Sequence, residues 1–259
     1  MFVKLVFLFQ RIDFRGKMAY IYYSSKKMIA ENLQILRKRI TEVCSRCGRN
    51  AEEVQLLAVS KTFSVEAMQE AIAAGQKDFG ENYVQELREK RETFSGSDVR
   101  WHFIGHLQSN KVKYLAGYVH LIHSVDAVEL GKEIDKRAAK AGRIQDVLVE
   151  VHTTDEATKY GVVPEHTAAF VKELALLPNI HVCGLMTMGP LADDPNRSRS
   201  SFRQVVELKQ QIEREGIERV TMEQLSMGMT HDFEVAIEEG TTIVRIGTAI
   251  FGTRSYNDQ

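Results

Sequence analysis

A lysine closely follows a short apolar run at residues 56–59. Leu56 to Val59 are apolar, and Ser60 and Lys61 follow them directly. A lysine at the end of a buried strand can be partly desolvated, which lowers the pKa of its amine and frees that amine to attack a carbonyl. Lys61 is therefore a candidate for attachment of an aldehyde. The alternative is an ordinary solvated lysine at a strand end, and only the rest of the chain can decide between them.

The composition favours a protein that binds a small molecule. With 34 basic and 35 acidic side chains, the net charge is -1, and no run of like charge suggests nucleic-acid binding. Three cysteines, Cys44, Cys47 and Cys183, cannot form a closed disulfide framework, which indicates a reduced, cytoplasmic protein. Cys44 and Cys47 have the spacing of a zinc or redox pair. No second pair of ligands follows them, so we expect no metal site.

Residues 1–27 differ in character from the rest. The apolar run from Met1 to Phe9 is too short to span a bilayer and lacks the features of a secretory signal. The basic residues that follow would suit a transit peptide, but translation starting at Met18 or Met28 is a simpler explanation. We therefore treat residues 1–27 as a leader outside the fold, with a mis-assigned start, and expect no membrane association.

From residue 28 onward the chain alternates helical and strand-like segments. An amphipathic first helix stops before Gly48, and a regular alternation of strands and helices follows it. One helix is expected at 108–116, and another is expected to begin with a capping box made by Asp126 and Glu129. The predicted strands are 54–60, 78–81, 101–104, 121–125, 146–151, 182–186, 224–226 and 242–246.

Eight consecutive βα units predict the fold class. In about 200 residues without a long polar linker, they favour an α/β fold with a single (β/α)8 TIM barrel. The barrel would occupy residues 28–252, with a short tail at 253–259. A doubly wound parallel sheet is the alternative. Because no glycine-rich dinucleotide fingerprint follows the first strand, a nicotinamide cofactor is disfavoured.

The last two strand ends predict a phosphate site. In such barrels the working face lies at the carboxyl ends of the strands, and the last two loops commonly hold phosphate on backbone N–H groups. Ser226 and Thr248 offer hydroxyl donors there, while Gly228 and Gly247 allow close approach of the backbone. Ordinary turn chemistry explains these residues equally well until the lysine is considered.

A lysine, a phosphate site and an arginine together suit pyridoxal 5'-phosphate (PLP). The aldehyde would join Lys61, the phosphate would lie on the last two loops, and Arg245 would face the pyridine nitrogen. An arginine stays charged, so it disfavours protonation of that nitrogen and weakens carbanion stabilisation. The pattern thus predicts a cofactor site more clearly than a catalyst.

Six segments in the same order resemble the pyridoxal phosphate homeostasis proteins. They lie at 58–62, 79–86, 101–111, 184–188, 225–229 and 244–252, and the resemblance covers residues 28–252. It implies a fold-type III barrel, like that of alanine racemase but without the C-terminal β-domain, in which Lys61 carries the cofactor as a Schiff base. The positions that match the family's pocket are, for the phosphate, Ser226, Gly228, Gly247 and Thr248; for the ring nitrogen, Arg245; and for the walls, Asn82 and His102. Lys159 matches a second family lysine whose role we cannot derive.

The resemblance also implies a role in PLP storage and delivery inside the cell, without catalytic turnover, with apo-enzymes as recipients. An amino-acid racemase or decarboxylase of the same fold is the alternative, but those enzymes use a further β-domain and two groups that flank the substrate α-carbon. Only a tail that contains Tyr256 follows the last strand here. A barrel for a sugar phosphate is a third possibility. We expect an open, monomeric protein.

Overall fold

The chain folds into a closed barrel of parallel strands surrounded by helices. The computed structural model describes residues 14–154, 160–190 and 192–253, with side chains from residue 28 onward. Eight strands pair in sequence order, and the eighth pairs with the first, which confirms the predicted (β/α)8 barrel over the doubly wound sheet. The strands are β1 (Gln55–Val59), β2 (Asp78–Glu81), β3 (Arg100–Phe103), β4 (Leu121–Val125), β5 (Gln145–Glu150), β6 (Ile180–Met186), β7 (Val220–Ser226) and β8 (Ile243–Ile246).

Helices form the outer layer and return the chain to the start of each next strand. The connection from β3 to β4 is a 3₁₀ helix at Ser109–Tyr114, where the sequence predicts a longer helix at 108–116. The α-helices are α1 (Phe14–Arg46), α2 (Val65–Ala73), α3 (Val84–Thr93), α4 (Val128–Lys140), α5 (Pro164–Ala175), α6 (Arg199–Arg214), α7 (Phe233–Glu238) and α8 (Thr248–Phe251).

The first helix crosses the boundary predicted at residue 28. It begins at Phe14 and contacts α2, α7 and α8, so that it covers the seam between the last and first strands. Residues 1–13 lie outside the described part of the chain, and the leader therefore stays a prediction. The same holds for the tail from residue 254. No helix within the described residues is long and apolar enough to cross a membrane.

One predicted helix start is wrong. Helix α4 begins at Val128 after Ala127, whose side chain makes no capping hydrogen bond, so Asp126 and Glu129 do not form a capping box. Asp126 instead lies near His106, with its Oδ2 at 3.8 Å from His106 Nδ1.

Successive side chains of a strand point to opposite faces of the sheet, so every second side chain of each strand points into the barrel. Near its middle these are mostly apolar. Two residues further along their strands, Leu121, Leu148 and Ile243 are followed by polar residues of the same parity, toward the carboxyl ends. Those residues are His123, Glu150 and Arg245. The apolar side chains packed inside the barrel are Leu57, Leu121, Leu148, Cys183, Met186 and Ile243.

Candidate cofactor site

Lys61 lies in the turn just beyond the carboxyl end of β1. It has the same strand parity as Leu57, which packs inside the barrel, and its side chain is half-buried. Leu57 pairs with Arg245 of β8, and on the other side β1 pairs with β2, which Asn82 follows. The strand that leads to Lys61 therefore runs between the strands that carry the predicted arginine and the predicted wall residue.

A buried ion-pair network fixes this turn from outside the barrel. The Lys90 Nζ of α3 lies 2.8 Å from Glu81 Oε1 and 2.7 Å from Glu86 Oε1, and it donates to the Ser60 carbonyl at 2.7 Å. The Ser60 hydroxyl donates to Glu81 Oε1 at 2.6 Å, and the Thr62 N–H donates to Glu86 Oε1 at 2.6 Å. The residues on both sides of the candidate lysine are thus held by one cluster.

The sequence did not indicate a role for Lys90, because its surroundings predict a solvated residue on a polar helix. Its spacing of four residues from Glu86 was the available signal, because residues i and i+4 are neighbours on a helix. In the structure Lys90 and Glu81 are both buried. Burial raises the pKa of Glu81 to about 7, although the Lys90 charge and the hydrogen bonds from Lys90 and Ser60 oppose that rise. Lys90 is therefore the main group that favours the charged form of this carboxylate.

Arg245 is buried inside the barrel and has hydrogen-bond acceptors on two strand ends. Its Nη1 donates to the Ser226 carbonyl at 2.6 Å and to Ser226 Oγ at 2.7 Å, and its Nη2 donates to the Thr187 carbonyl at 2.8 Å. Burial lowers the pKa of Arg245 to about 10, while the nearby carboxylates Asp232 and Glu150 raise it, so the guanidinium stays charged at neutral pH. A guanidinium has five N–H donors, so donors remain for a ligand.

Two predicted pocket residues lie deeper than the sequence suggests. The Ser226 side chain is fully buried, and its Oγ lies between Arg245 and the Nδ1 of His123, at 2.9 Å from the latter. His102 is also buried, with Nδ1 at 3.0 Å from His123 Nε2 and Nε2 at 3.2 Å from Asp78 Oδ1. The Ser226 hydroxyl thus contacts Arg245 and His123, and His102 contacts His123 and Asp78. Their predicted contacts with the ligand stay predictions.

The other predicted phosphate residues lie in the last two loops. Gly228 has a φ of 86°, and an added Cβ would lie 2.6 Å from Ala236 Cβ, so this position requires glycine. Gly247 immediately precedes α8, and the exposed Thr248 begins that helix. The first N–H groups of a helix have no intrahelical acceptor, so the start of α8 can donate to an anion.

Asp232 shapes the first of these loops. Its Oδ1 accepts the N–H of Met229 at 2.7 Å, and its Oδ2 accepts the Ser198 hydroxyl at 2.8 Å. The carboxylate is buried and attracts the Arg245 charge. Sequence reasoning did not identify Asp232, because an aspartate just before a helix resembles an ordinary cap.

Polar atoms at the mouth of the barrel lack partners within the described residues. The buried Asn82 Oδ1, His152 Nδ1 and Thr154 Oγ1 make no hydrogen bond there. A buried polar atom without a partner costs free energy, so such atoms indicate a place where a polar ligand contributes hydrogen bonds. Together with Lys61 and Arg245, these atoms fit a phosphorylated aromatic aldehyde, which has oxygen and nitrogen atoms around its ring.

Two carboxyl groups at the mouth were also missed. Glu150 ends β5 on the inward-facing parity and is buried, and burial together with the Asp126 charge raises its pKa to about 7, against the attraction of Arg245. Burial also raises the pKa of Asp126, whose Oδ2 lies 3.8 Å from His106 Nδ1. The mouth thus holds acidic groups near the buried guanidinium. The signal was a glutamate at the end of an otherwise apolar strand.

Other residues that the sequence singles out lie apart from this site or outside the described residues. Cys44 and Cys47 are free thiols at the end of α1, the first buried and the second exposed. No group of three or more His, Cys, Asp or Glu side chains in the described ranges is placed to hold a metal ion. Lys159 and Tyr256 lie outside the described residues, so their predicted positions stay untested.

The fold is shared with the barrel domain of alanine racemases. The family model described as "Alanine racemase, N-terminal domain" matches residues 31–255. An alanine racemase of Clostridium difficile 630 has a similar fold, with a TM-score of 0.69 at 16% identity, over 90% of this chain and 58% of the racemase. Fold and site therefore define a barrel of the alanine racemase N-terminal class.

Relatives of higher identity narrow this class. The pyridoxal phosphate homeostasis protein of Aquifex aeolicus (strain VF5) is 49% identical over 226 residues, which cover 87% of this chain and 98% of the relative. The structure of PipY from Synechococcus elongatus PCC7942 with PLP bound matches with a TM-score of 0.76 at 33% identity, over 86% of this chain and all of PipY (100%). The chain belongs to the pyridoxal phosphate homeostasis protein family, as its six sequence segments predict.

The network around Lys90 predicts a large loss of stability in Lys90→Met. This change leaves Glu81 buried without its cation, which costs about 3–5 kcal/mol in typical buried pairs. Lys172→Met is the matched control, because Lys172 pairs with Glu215 on the surface at 2.8 Å and such pairs contribute about 0–1 kcal/mol. Chemical denaturation of the cofactor-free protein measures both free energies of unfolding. Equal losses in the two variants would contradict this account of the turn.

The raised pKa of Glu150 predicts how stability depends on pH. Stability from a carboxyl with a raised folded-state pKa is present below the unfolded value of 4.5 and is lost as pH rises through about 7. Glu150→Gln should therefore gain stability relative to wild type between these pH values, by up to about 3 kcal/mol. Urea denaturation of the cofactor-free proteins at several pH values measures this difference. The exposed Glu223→Gln should show no such trend, and a flat difference for Glu150→Gln would refute the assignment.

Proposed function

We propose that this chain binds PLP as a Schiff base on Lys61 and serves intracellular PLP homeostasis by holding and delivering the cofactor, without catalytic turnover of its own. The observation that carries the proposal is the position of Lys61, in a fixed turn that follows β1, the strand paired with the strand of the buried Arg245. PipY, a relative of similar fold, has PLP bound in its structure, and the Aquifex relative is named for PLP homeostasis.

Each part of the site would meet one part of the cofactor. The uncharged amine of Lys61 would attack the aldehyde carbon, so that a C=N bond replaces the C=O bond and water leaves. Arg245 would donate to the ring nitrogen, and the loop at Gly228 with the start of α8 would donate N–H groups to the phosphate. Asn82, whose Oδ1 lacks a partner within the described residues, would contact the polar edge of the ring.

The charge at Arg245 supports storage in preference to turnover. PLP bound in a protein stabilises carbanions as an electron sink, most strongly when its ring nitrogen is protonated. A guanidinium that stays charged opposes this protonation. Apo-enzymes that need PLP are the recipients in this proposal. The same proposal places the protein in the cytoplasm, in keeping with its three cysteines, and takes it as a monomer.

Attachment to Lys61 predicts a visible absorption band. Wild-type protein incubated with PLP should turn yellow, and Lys61→Ala should lose the band because the site no longer offers an amine to form the C=N bond. Lys77→Ala is the matched control, since Lys77 is an exposed lysine at the opposite end of the barrel, and its band should equal that of wild type. A wild type that stays colourless would overturn the proposal and leave a sugar-phosphate barrel as the better reading.

Storage without turnover predicts that the loaded protein transfers PLP but does not process amino acids. We expect the loaded wild type to activate an apo-enzyme of the PLP class, measured against free PLP at the same concentration. Chiral chromatography and a carbon dioxide assay should show no racemisation or decarboxylation of the standard amino acids. Enzyme-like rates in either assay would favour a racemase or decarboxylase.

A further inference from the structure

A continuous chain of hydrogen bonds crosses the barrel interior from its N-terminal end to Arg245. It begins at Asp78, the first residue of β2, and passes through His102 of β3 and His123 of β4 to Ser226 of β7. The four links from Asp78 to Arg245 measure 3.2, 3.0, 2.9 and 2.7 Å. All five residues are buried, so solvent does not interrupt the chain.

The chemistry of the two ends, together with neutral imidazoles between them, determines the direction of every bond. A guanidinium can only donate, so Arg245 donates to Ser226 Oγ, and the Ser226 hydroxyl proton is then available for the Nδ1 of His123. An ionised carboxylate can only accept, so the Nε2–H of His102 donates to Asp78. If both imidazoles are neutral, the remaining bond runs from the Nε2–H of His123 to the Nδ1 of His102. The directions required by the two ends agree in the middle.

The surroundings keep the two ends charged and the middle neutral. Burial lowers the pKa of His102 and, more strongly, that of His123, which also lies between His102 and Arg245. Burial alone would raise the pKa of Asp78, but hydrogen bonds from His102 and Arg100 lower it below the ordinary value. Arg100, whose side chain is half-exposed, lies 2.6 Å from Asp78 Oδ2 and connects the chain to the N-terminal face of the barrel.

We propose that Asp78, His102 and His123 are positioning residues for Arg245, which act through one directed hydrogen-bond chain and fix the guanidinium at the place where it meets the cofactor ring. The inference rests on the proposed function for its cofactor and extends it to residues at the far end of the barrel. The Ser226 Oγ bond fixes one edge of the guanidinium, and His123 fixes that hydroxyl because its Nδ1 accepts a hydrogen bond from it. A break at either histidine frees the Ser226 hydroxyl to rotate and loosens Arg245.

The tautomers of the two histidines test the chain without the cofactor. Nitrogen NMR of the cofactor-free wild type at neutral pH should show His102 and His123 as neutral imidazoles that carry the proton on Nε2. His123→Phe serves to assign the signals. A charged ring or an Nδ1–H tautomer at either position would overturn the directed chain. Because no PLP is present, this result does not depend on the proposed function.

The visible band tests whether the chain reaches the cofactor. His123→Phe replaces one neutral ring by another, so a shifted band maximum in the PLP-loaded variant reports a moved guanidinium and no change of charge. His181→Phe is the matched control, since His181 pairs with Asp146 at 2.8 Å outside the chain, and its band should equal that of wild type. We expect both variants to retain the band itself. An unshifted band in folded His123→Phe would overturn the positioning role, whereas a wild type without any band would overturn the proposed function.

If His123→Phe does not fold, Ser226→Ala breaks the same chain with a smaller side chain. It removes both the acceptor of the Arg245 Nη1 bond and the donor to His123. The expected result is again a shifted band with PLP still attached. A band identical to that of wild type in folded Ser226→Ala contradicts the proposal as directly as in His123→Phe.

Discussion

A permanent positive charge inside a barrel must have acceptors, and the candidate site is built around this constraint. Arg245 lies among apolar strands, where a charge without hydrogen bonds would cost several kcal/mol. Carbonyl groups at the ends of two strands, the Ser226 hydroxyl and nearby carboxylates provide the compensation. The side chains that meet this need also determine where the guanidinium points. Stability and ligand geometry therefore depend on the same contacts.

A second, separate cluster outside the barrel determines the position of Lys61. At its centre is the buried Lys90, which contacts two glutamates and the backbone carbonyl just before the candidate lysine. The two clusters lie on opposite sides of the sheet, since Ser60 and Glu81 face α3 whereas Leu57 and Arg245 face the barrel axis. The candidate cofactor site thus has a lysine in a turn fixed from outside the barrel and a guanidinium fixed from inside it.

The sequence predicted the barrel because strand and helix periodicities repeat eight times, and it predicted Lys61 and Arg245 at the barrel mouth because both follow apolar runs. It failed where a role depends on distant partners. Ser226 and His102 are predicted to contact the ligand, and the structure adds hydrogen bonds to Arg245 and to His123 that the sequence does not reveal. Lys90 and Asp232 were missed because the sequence around a lysine or aspartate on a polar segment does not indicate that the side chain is buried. Parity along a strand identifies the residues that face into the barrel. How deep each of them lies can be predicted only when the register of all eight strands is known.

The proposed function requires that PLP is bound on Lys61. Reduction of the PLP-loaded wild type with borohydride makes the link permanent, and peptide mass spectrometry then locates it. We expect one pyridoxyl group, on the peptide that contains Lys61 and on that residue. Labelling of another lysine in place of Lys61, or no labelling at all, would contradict it.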